Sequence, residues 1–504
     1  MKKLNLLFIG IFSMSFMYGQ DISDALRYSQ DEIQGTARFR ALSGAFGALG
    51  GDLSAVSLNP AGSAVFTRSY ASFSVSNLDT KNDSKYFNGL ASSSDTKFDV
   101  NQGGGVFVFA NNDTNSPWKK FSLGIEYDKT RNFDDNWAAK GTNTNNNSID
   151  LYFLNYADGL RLDEISTLSG ESISNAYSEI GDLYGFAHQQ AFLGYESYIL
   201  EPDSNDDANT TYFSNLANGT FNQNYTYAST GYNGKITFNA AVQYEDNLYL
   251  GINLNSHLIN YERTTLLYET NSNNGSLINE IEFDNTLSTT GTGFSFQLGG
   301  ILKLSNEFRV GLTYDSPTWL TIEEETSQYI ATVYSTDSPV IINPQIVNVY
   351  PSYKLQTPGK LTGSIAYIFG EQGLFSFDYS RKDYGSTKFK PTSDSFFASQ
   401  NNIMSNELTD ASTYRFGAEY RVKQFSFRGG YRFEESPYKD GVTVGDLNGY
   451  SLGVGFNFGN TKLDITYDQA KRSYQNQLYN IGLIDAAMVD NKNSNITLSL
   501  GFNI

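Results

Sequence analysis

No cysteine and only two histidines occur among the 504 residues. That excludes a disulfide framework, a thiolate zinc site, an iron–sulfur cluster and a multi-histidine metal centre, and no cofactor is expected. Charged residues make up 18% of the chain, where soluble proteins carry ~25%. The formal charge of −19 argues against a nucleic-acid partner, which would need a basic face. Beyond the N-terminus no apolar run reaches the ~18 residues of a helical membrane span. What the chain has instead is 45 Gly, 35 Tyr and 36 Phe. Length alone would suit about three soluble domains, but this composition points to one large β protein rich in Gly, Asn and Tyr.

Residues 1–19 read as a secretory signal, with Lys2 and Lys3 ahead of an apolar stretch from Leu4 to Met17 and cleavage before Gln20. The alternative, an N-terminal membrane anchor, would need about 20 apolar residues.

From the middle of the chain to its end, apolar and polar residues alternate with a period of two. Phe294, Phe296 and Leu298 share one face, as do Phe308/Val310/Leu312/Tyr314, Tyr414/Phe416/Ala418/Tyr420, Phe425/Phe427/Gly429/Tyr431 and Ile496/Leu498/Leu500/Phe502. Phe121/Leu123/Ile125/Tyr127 and Leu248/Leu250/Ile252/Leu254 follow the same rule nearer the N-terminus. Side chains alternate across a strand, so each such segment has one apolar and one polar face. The pattern predicts an all-β fold of about 14 strands. Short turns are expected near 111–118, 245–247, 305–307, 370–373, 423–424 and 459–460. Long polar loops are expected near 78–102, 131–230, 263–287, 326–352, 387–409, 436–446 and 472–493. Alternating short and long connections around an even number of strands is the layout of an antiparallel outer-membrane barrel. A secreted β-sandwich or propeller array is the other all-β reading, but it needs no such alternation.

Residues 20–68 do not alternate. Short helices are expected over Asp21–Asp31 and Thr36–Leu49, and Asn59 before Pro60 reads as an N-cap followed by an N1 proline. A barrel of about 14 strands leaves a lumen that a compact Gly-rich segment could plug. Gly35-Thr36-Ala37-Arg38-Phe39-Arg40-Ala41, Gly44-Ala45-Phe46-Gly47-Ala48-Leu49-Gly50-Gly51-Asp52 and Asn59-Pro60-Ala61-Gly62 together resemble the hatch of the FadL/TodX family of outer-membrane transporters. Gly311-Leu312-Thr313-Tyr314 with Ser316-Pro317, Leu355-Gln356-Thr357-Pro358 and Asp378-Tyr379-Ser380 extend the resemblance along the mature chain. It implies a 14-stranded barrel over residues 69–504, plugged by a hatch over 20–68. Such a barrel would sit as a monomer among the lipids of a Gram-negative outer membrane and import long-chain fatty acids or other hydrophobic molecules. It also implies lateral release beside an inwardly kinked third strand.

On that resemblance Asn59, Pro60, Ala61, Gly62, Phe39 and Phe46 are expected on the ligand path. Gly103, Gly104, Gly105 and Gly124 are expected at a lateral opening, since strand glycines mark bends or missing walls; equally, they could make room for the hatch. An even turn at Lys423–Gln424 sets Glu419 against Arg428 and Arg415 against Arg432. Like charges across strands are unfavourable, so an anion is expected beside Arg415 and Arg432. Candidates are a carboxylate of the hatch or of nearby strands, such as Asp378 or Asp464, or the head group of a carboxylate cargo.

The insert at 131–230 is expected to carry amphipathic helices over 151–156, 160–168, 173–183 and 186–200, packed on one another or forming an acyl-chain groove. Catalysis is not indicated. Ser256 and His257 are strand neighbours on opposite faces and cannot form a nucleophile–base pair, and the acidic run 203–207 lacks the glycine of a calcium loop. The alternative function is a general diffusion porin or surface adhesin, with residues 20–68 as a periplasmic tail.

Overall fold

The computed structural model describes residues 21–113, 115–334 and 338–504; the expected signal at 1–19 lies outside them. Fourteen antiparallel strands close into a barrel. They are β1 (Tyr70–Tyr86), β2 (Gly89–Ala110), β3 (Trp118–Asn132, continued by Asp135–Asn143), β4 (Phe221–Tyr244), β5 (Leu248–Thr270), β6 (Ile278–Lys303) and β7 (Phe308–Asp315 and Trp319–Tyr334). The second half is β8 (Tyr353–Gln356 and Lys360–Phe369), β9 (Gly373–Asp383), β10 (Asp410–Val422), β11 (Phe425–Glu434), β12 (Leu447–Asn457), β13 (Thr461–Gln477) and β14 (Ala486–Asn503). β1 pairs with β14 from Tyr70↔Asn503 to Lys85↔Met488, which leaves no free edge.

The alternation sorts the side chains as a membrane requires. Phe73, Leu123, Leu250, Leu298, Leu312, Phe416, Phe427, Leu452 and Leu498 point outward and are exposed, whereas Ser74, Ser122, Asn253, Gln297, Thr313, Ser451 and Thr497 face the lumen and are buried. In water this arrangement would be inside out; in lipid it is the stable one.

Several expected loops are strand instead. Residues 78–102 lie almost wholly in β1 and β2, which turn at Phe87–Asn88, and the connections near 263–287 and 472–493 shrink to 271–277 and 478–485. On β1 the outward residues change from Phe73 and Val75 to Lys81, Asp83 and Lys85, yet pairing with β2 continues to Tyr86↔Gly89. Apolar alternation marks only the part of a strand that crosses lipid; the backbone ladder continues into water without it.

The N-terminal segment lies inside the barrel. Helix α1 (Ile22–Ser29) starts at a capping box formed by Asp21 and Asp24, and Ala25, Leu26 and Tyr28 pack at the long-loop end against Phe397, Met404 and Leu408. Helix α2 is shorter than expected, Ala37–Ala41, because Ser43 and Gly44 take positive φ (51° and 75°) and break it. Helix α3 (Leu53–Leu58) leads to a 3₁₀ turn, Pro60–Val65, capped by Asn59. The segment leaves at the short-turn end, where Phe66 stacks on Tyr70.

The insert forms a cap over the long-loop end with helices α4 (Asp150–Ala157), α5 (Ile173–Tyr184) and α6 (Phe186–Glu196). The helix expected over 160–168 reduces to one 3₁₀ turn, Leu162–Glu164. Tyr152, Phe153, Tyr177 and Phe192 bury against one another and against Phe283 and Ile330 of the strand extensions, so the cap is fused to the wall by its apolar stripe.

Candidate functional site: the barrel interior and a seam in its wall

The segment over residues 36–66 is hydrogen-bonded to strands around the bore. Ala37 donates its N–H to Ser499 Oγ of β14 at 2.6 Å, and Arg40 forks onto Asp468 of β13 at 2.8 and 2.9 Å. Ser43 meets Ser451 of β12 at 2.8 Å, and the N–H groups of Phe46 and Gly47 donate to Asp378 of β9 at 3.0 Å. On the other side Asn59 Nδ2 donates to Gly300 O of β6 (3.2 Å). Asn239 Nδ2 of β4 donates to Pro60 O (3.0 Å) and Asn253 Nδ2 of β5 to Val56 O (2.8 Å). Ser63 Oγ meets Ser122 Oγ of β3 at 2.9 Å. Small wall residues make the fit possible. A Cβ on Gly311 would stand 2.3 Å from the carbonyl oxygen of Gly47, and one on Gly417 would stand 2.7 Å from the Leu42 side chain.

Of the residues expected on the ligand path, Asn59, Pro60, Ala61, Gly62, Phe39 and Phe46 are all buried. Phe39 and Phe46 rest against each other, ring centroids 5.5 Å apart, and Phe39 lines a cavity of about 140 Å³ between the segment and the wall. That cavity mixes apolar Tyr28, Ile33, Leu58 and Leu320 with charged Asp128, Lys235, Lys360 and Arg415. A second cavity, of about 330 Å³, adjoins it towards the cap and shares Arg415.

Beside this segment the ladder between β2 and β3 is interrupted. β2 and β3 pair without a break from Ala110↔Lys120 to Gln102↔Asp128. Gly103, Gly104, Gly105 and Gly124 all fall within that ladder, opposite Tyr127, Glu126, Ile125 and Val106. Beyond Gln102 the described residues form no β2–β3 pair: β2 continues with β1, while β3 breaks at Phe133–Asp134 and continues with β4. β3's continuation turns in over β1, where Asn82 Nδ2 donates to Asp135 (2.7 Å) and to Asn136 O (2.6 Å). Side chains close the seam that remains. Lys97 meets Asp134 at 2.7 Å, Ser93 Oγ donates to Asn136 O at 2.6 Å, and Lys129 pairs with Asp99.

Residues 204–503 match the family described as outer membrane protein transport protein (OMPP1/FadL/TodX). The chain belongs to this family. A FadL homologue of Pseudomonas aeruginosa has the same fold, with a TM-score of 0.54 at 11% identity over 94% of this chain and 99% of that one. The toluene transporter TodX of Pseudomonas putida gives 0.54 at 12% identity over the same shares. No curated protein matches the sequence. The protein is therefore an outer-membrane transport barrel of the FadL/TodX type, a family of hydrophobic-substrate transporters rather than enzymes.

Within this FadL/TodX barrel the pairing at the β10–β11 turn sets Glu419 opposite Arg428 and Arg415 opposite Arg432. Glu419 takes Arg428 at 2.6 Å, and it also receives Arg38 of the N-terminal segment at 3.0 Å and Arg421. Asp464 pairs with Arg428 rather than with either of the facing arginines. Asp378 stands opposite Arg415 in register but spends its carboxylate on the N–H groups of Phe46 and Gly47. Arg432 finds Glu434 at 3.4 Å, a partner the sequence reading did not consider. Arg415 forms no ion pair among the described residues, and its buried Nε lacks a hydrogen-bond partner.

Two further contacts were missed from sequence. His257 Nε2 meets Ser295 Oγ of the next strand at 2.9 Å, while Ser256 faces lipid. Glu126 and Asp128 converge on Ser57; charged residues at lumen-facing positions of the Ile125/Tyr127 alternation were the available signal. Among the described residues no cluster of three or more Asp, Glu or His side chains could hold a metal ion.

Proposed function

We propose that this barrel imports hydrophobic molecules with a polar head, long-chain fatty acids among them. Residues 20–68 act as a hatch that closes the bore, and cargo leaves sideways through the seam between β2 and β3. The observation that carries the reading is the seam itself. It is a stretch of wall that side chains rather than backbone hydrogen bonds hold shut, and it lies beside a bore filled by the N-terminal segment. A solute can part a few side-chain contacts far more easily than a β-ladder, whose every N–H and C=O would be orphaned in lipid. The route keeps an apolar tail out of the periplasmic water.

The mixed lining of the inner cavity favours an amphiphile. An uncharged hydrocarbon gains nothing from Lys235, Lys360 or Arg415, whereas a carboxylate can use the Arg415 fork without breaking an existing ion pair. TodX, which shares the fold, is named for toluene, so an aromatic hydrocarbon is the competing cargo. The diffusion-porin reading makes a different demand, an open bore.

The test uses the absence of cysteine. Lys97→Cys with Asp134→Cys, bridged by a thiol-reactive linker across the seam, should abolish uptake of labelled fatty acid while leaving the barrel folded. Deleting residues 21–60 should convert the protein into an open channel in planar bilayers. Normal uptake through the bridged seam refutes lateral release, and unchanged conductance after deletion refutes the hatch.

A further inference from the structure

Ser57, near the end of α3, projects towards β3, where Glu126 and Asp128 occupy successive lumen-facing positions. Its Oγ lies 2.5 Å from Glu126 Oε1 and within hydrogen-bond reach of Asp128 Oδ2. Both acids are almost fully enclosed, 3% and 5% exposed, and Glu126 Oε2 has no hydrogen-bond partner. A serine hydroxyl carries one proton and donates once. Were both carboxylates ionised, one would face the hydroxyl's lone pairs and both would repel each other in an enclosed site. The contacts are complete when one acid is protonated. Ser57 then donates to the carboxylate, and the carboxylic acid donates to Ser57 Oγ or to its neighbour.

Among the described residues Lys235 of β4, paired opposite Asp128, is the cation set directly against the two acids. Glu126 itself is flanked by uncharged Thr237 and Gly104, and β6 contributes Gln297, which donates to Ser57 O at 2.9 Å. Across the cavity Lys360 bridges Asp315 and Asp31, Asp31 also takes Lys382, and Lys129 is held by Asp99. His257 of β5, Tyr28 and Glu32 of the N-terminal segment and Arg415 of β10 complete the titratable and charged groups lining that cavity.

Asp128 is also the last residue of β3 paired with β2; the next residue begins the seam. We propose that Glu126, Asp128 and Ser57 form a binding site for a single shared proton, which clasps the N-terminal segment to the wall at the foot of the seam. Loss of the proton leaves two carboxylates competing for one hydroxyl and releases Ser57. The inference goes beyond the transport reading, and rests on it only for the consequence that release would ease passage.

Infrared spectroscopy of the full chain in lipid nanodiscs tests the site directly. The wild type should show a protonated-carboxyl band at neutral pH that is lost in Glu126→Gln and equally in Asp128→Asn, since either substitution removes one of the two acids between which the proton is shared. Hydrogen exchange over residues 53–58, corrected for intrinsic rates, should accelerate as the band disappears on raising the pH; both single variants should abolish that dependence. Ser57→Ala should keep the band and lose the link to exchange. A band that is absent from the wild type, or that survives in both carboxyl variants, overturns the proposal, as does exchange indifferent to the band. Neither measurement involves cargo, so failure of the transport reading would leave them standing.

Discussion

Asn59→Ala is the substitution whose consequence follows most directly from the geometry. Asn59 has no solvent exposure. Its Nδ2 donates to Gly47 O at 2.7 Å and Gly300 O at 3.2 Å, and its Oδ1 accepts from Ala61 N at 3.1 Å. The side chain thus ties together the two halves of the N-terminal segment and fixes both to β6. Alanine leaves the Gly47 carbonyl and the Ala61 N–H without partners in an enclosed site and strips the Gly300 carbonyl of the bond it accepts beyond the ladder, at about 1 kcal/mol or more each. A total of about 3 kcal/mol lowers the free energy of local opening enough to speed exchange roughly a hundredfold. The barrel ladder keeps all its own hydrogen bonds, so the heat-dependent gel shift of the folded barrel should barely move. Hydrogen exchange read over residues 45–66 is the assay. Exchange within about threefold of wild type would refute the reasoning. Asn59→Asp sharpens the test, because it keeps the volume and the Ala61 cap but turns a carboxylate on two carbonyls; it should open the segment further than alanine does.

Gly417→Val should displace α2 and raise bilayer conductance without unfolding the barrel, because the new side chain enters the space of Leu42; unchanged conductance would show that the segment yields without opening the bore. Arg415→Gln should cut fatty-acid uptake roughly tenfold while sparing an uncharged hydrocarbon, as expected for a charge-assisted bond worth about 1.5 kcal/mol. Arg432→Gln should do less, since Glu434 already engages that guanidinium, and equal losses for both cargoes would remove the carboxylate from the account. Gly104→Val places a Cβ 2.4 Å from the carbonyl oxygen of Ile125 and should stop uptake by distorting β2 and β3 just below the seam; normal uptake in an inserted variant would separate these glycines from the exit.

What the sequence revealed follows from what each interaction leaves in it. Lipid demands an apolar outward face, so strands such as Phe425–Glu434 announce themselves, and a two-residue turn with fixed facing leaves one register, in which Arg415 meets Arg432. The upper halves of β1 and β2 bear no such mark, because in water Lys81 or Asp83 serves a strand as well as a loop. Partnerships across the bore were hidden for another reason. Arg38 and Glu419 lie 381 positions apart, and only the closed barrel brings them together. Even the position of the seam was only half visible: glycines drew attention to positions 103–105 and 124, whereas the ladder ends at Gln102, where no unusual residue stands.

The bonds that hold the N-terminal segment differ in kind from one side of the bore to the other, and this asymmetry dictates how it can move. Towards β10–β13 it is held by ions: Arg38 reaches the enclosed Glu419, itself neutralised by Arg428 and Arg421, and Arg40 forks onto Asp468 while only 2% exposed. Breaking such a pair by removing one partner strands a buried charge and costs about 3–5 kcal/mol. Towards β3–β6 the half over residues 53–66 offers no charge of its own, only amides, hydroxyls and carbonyls through Ser57, Asn59 and Ser63, and each contact exchanges for water at about 1 to 3 kcal/mol. That side borders the seam. A cargo therefore need not expel the segment; it can swing the half over residues 53–66 away from β3 while the half over 36–43 stays fixed. Exchange should accordingly be faster over 53–66 than over 36–43 in the unliganded protein. Glu419→Gln should reverse the order by leaving Arg38 and Arg428 without their shared carboxylate. Uniform exchange across both halves, or an unchanged order in the variant, would mean that the segment moves as one body and that its charges do not act as the hinge.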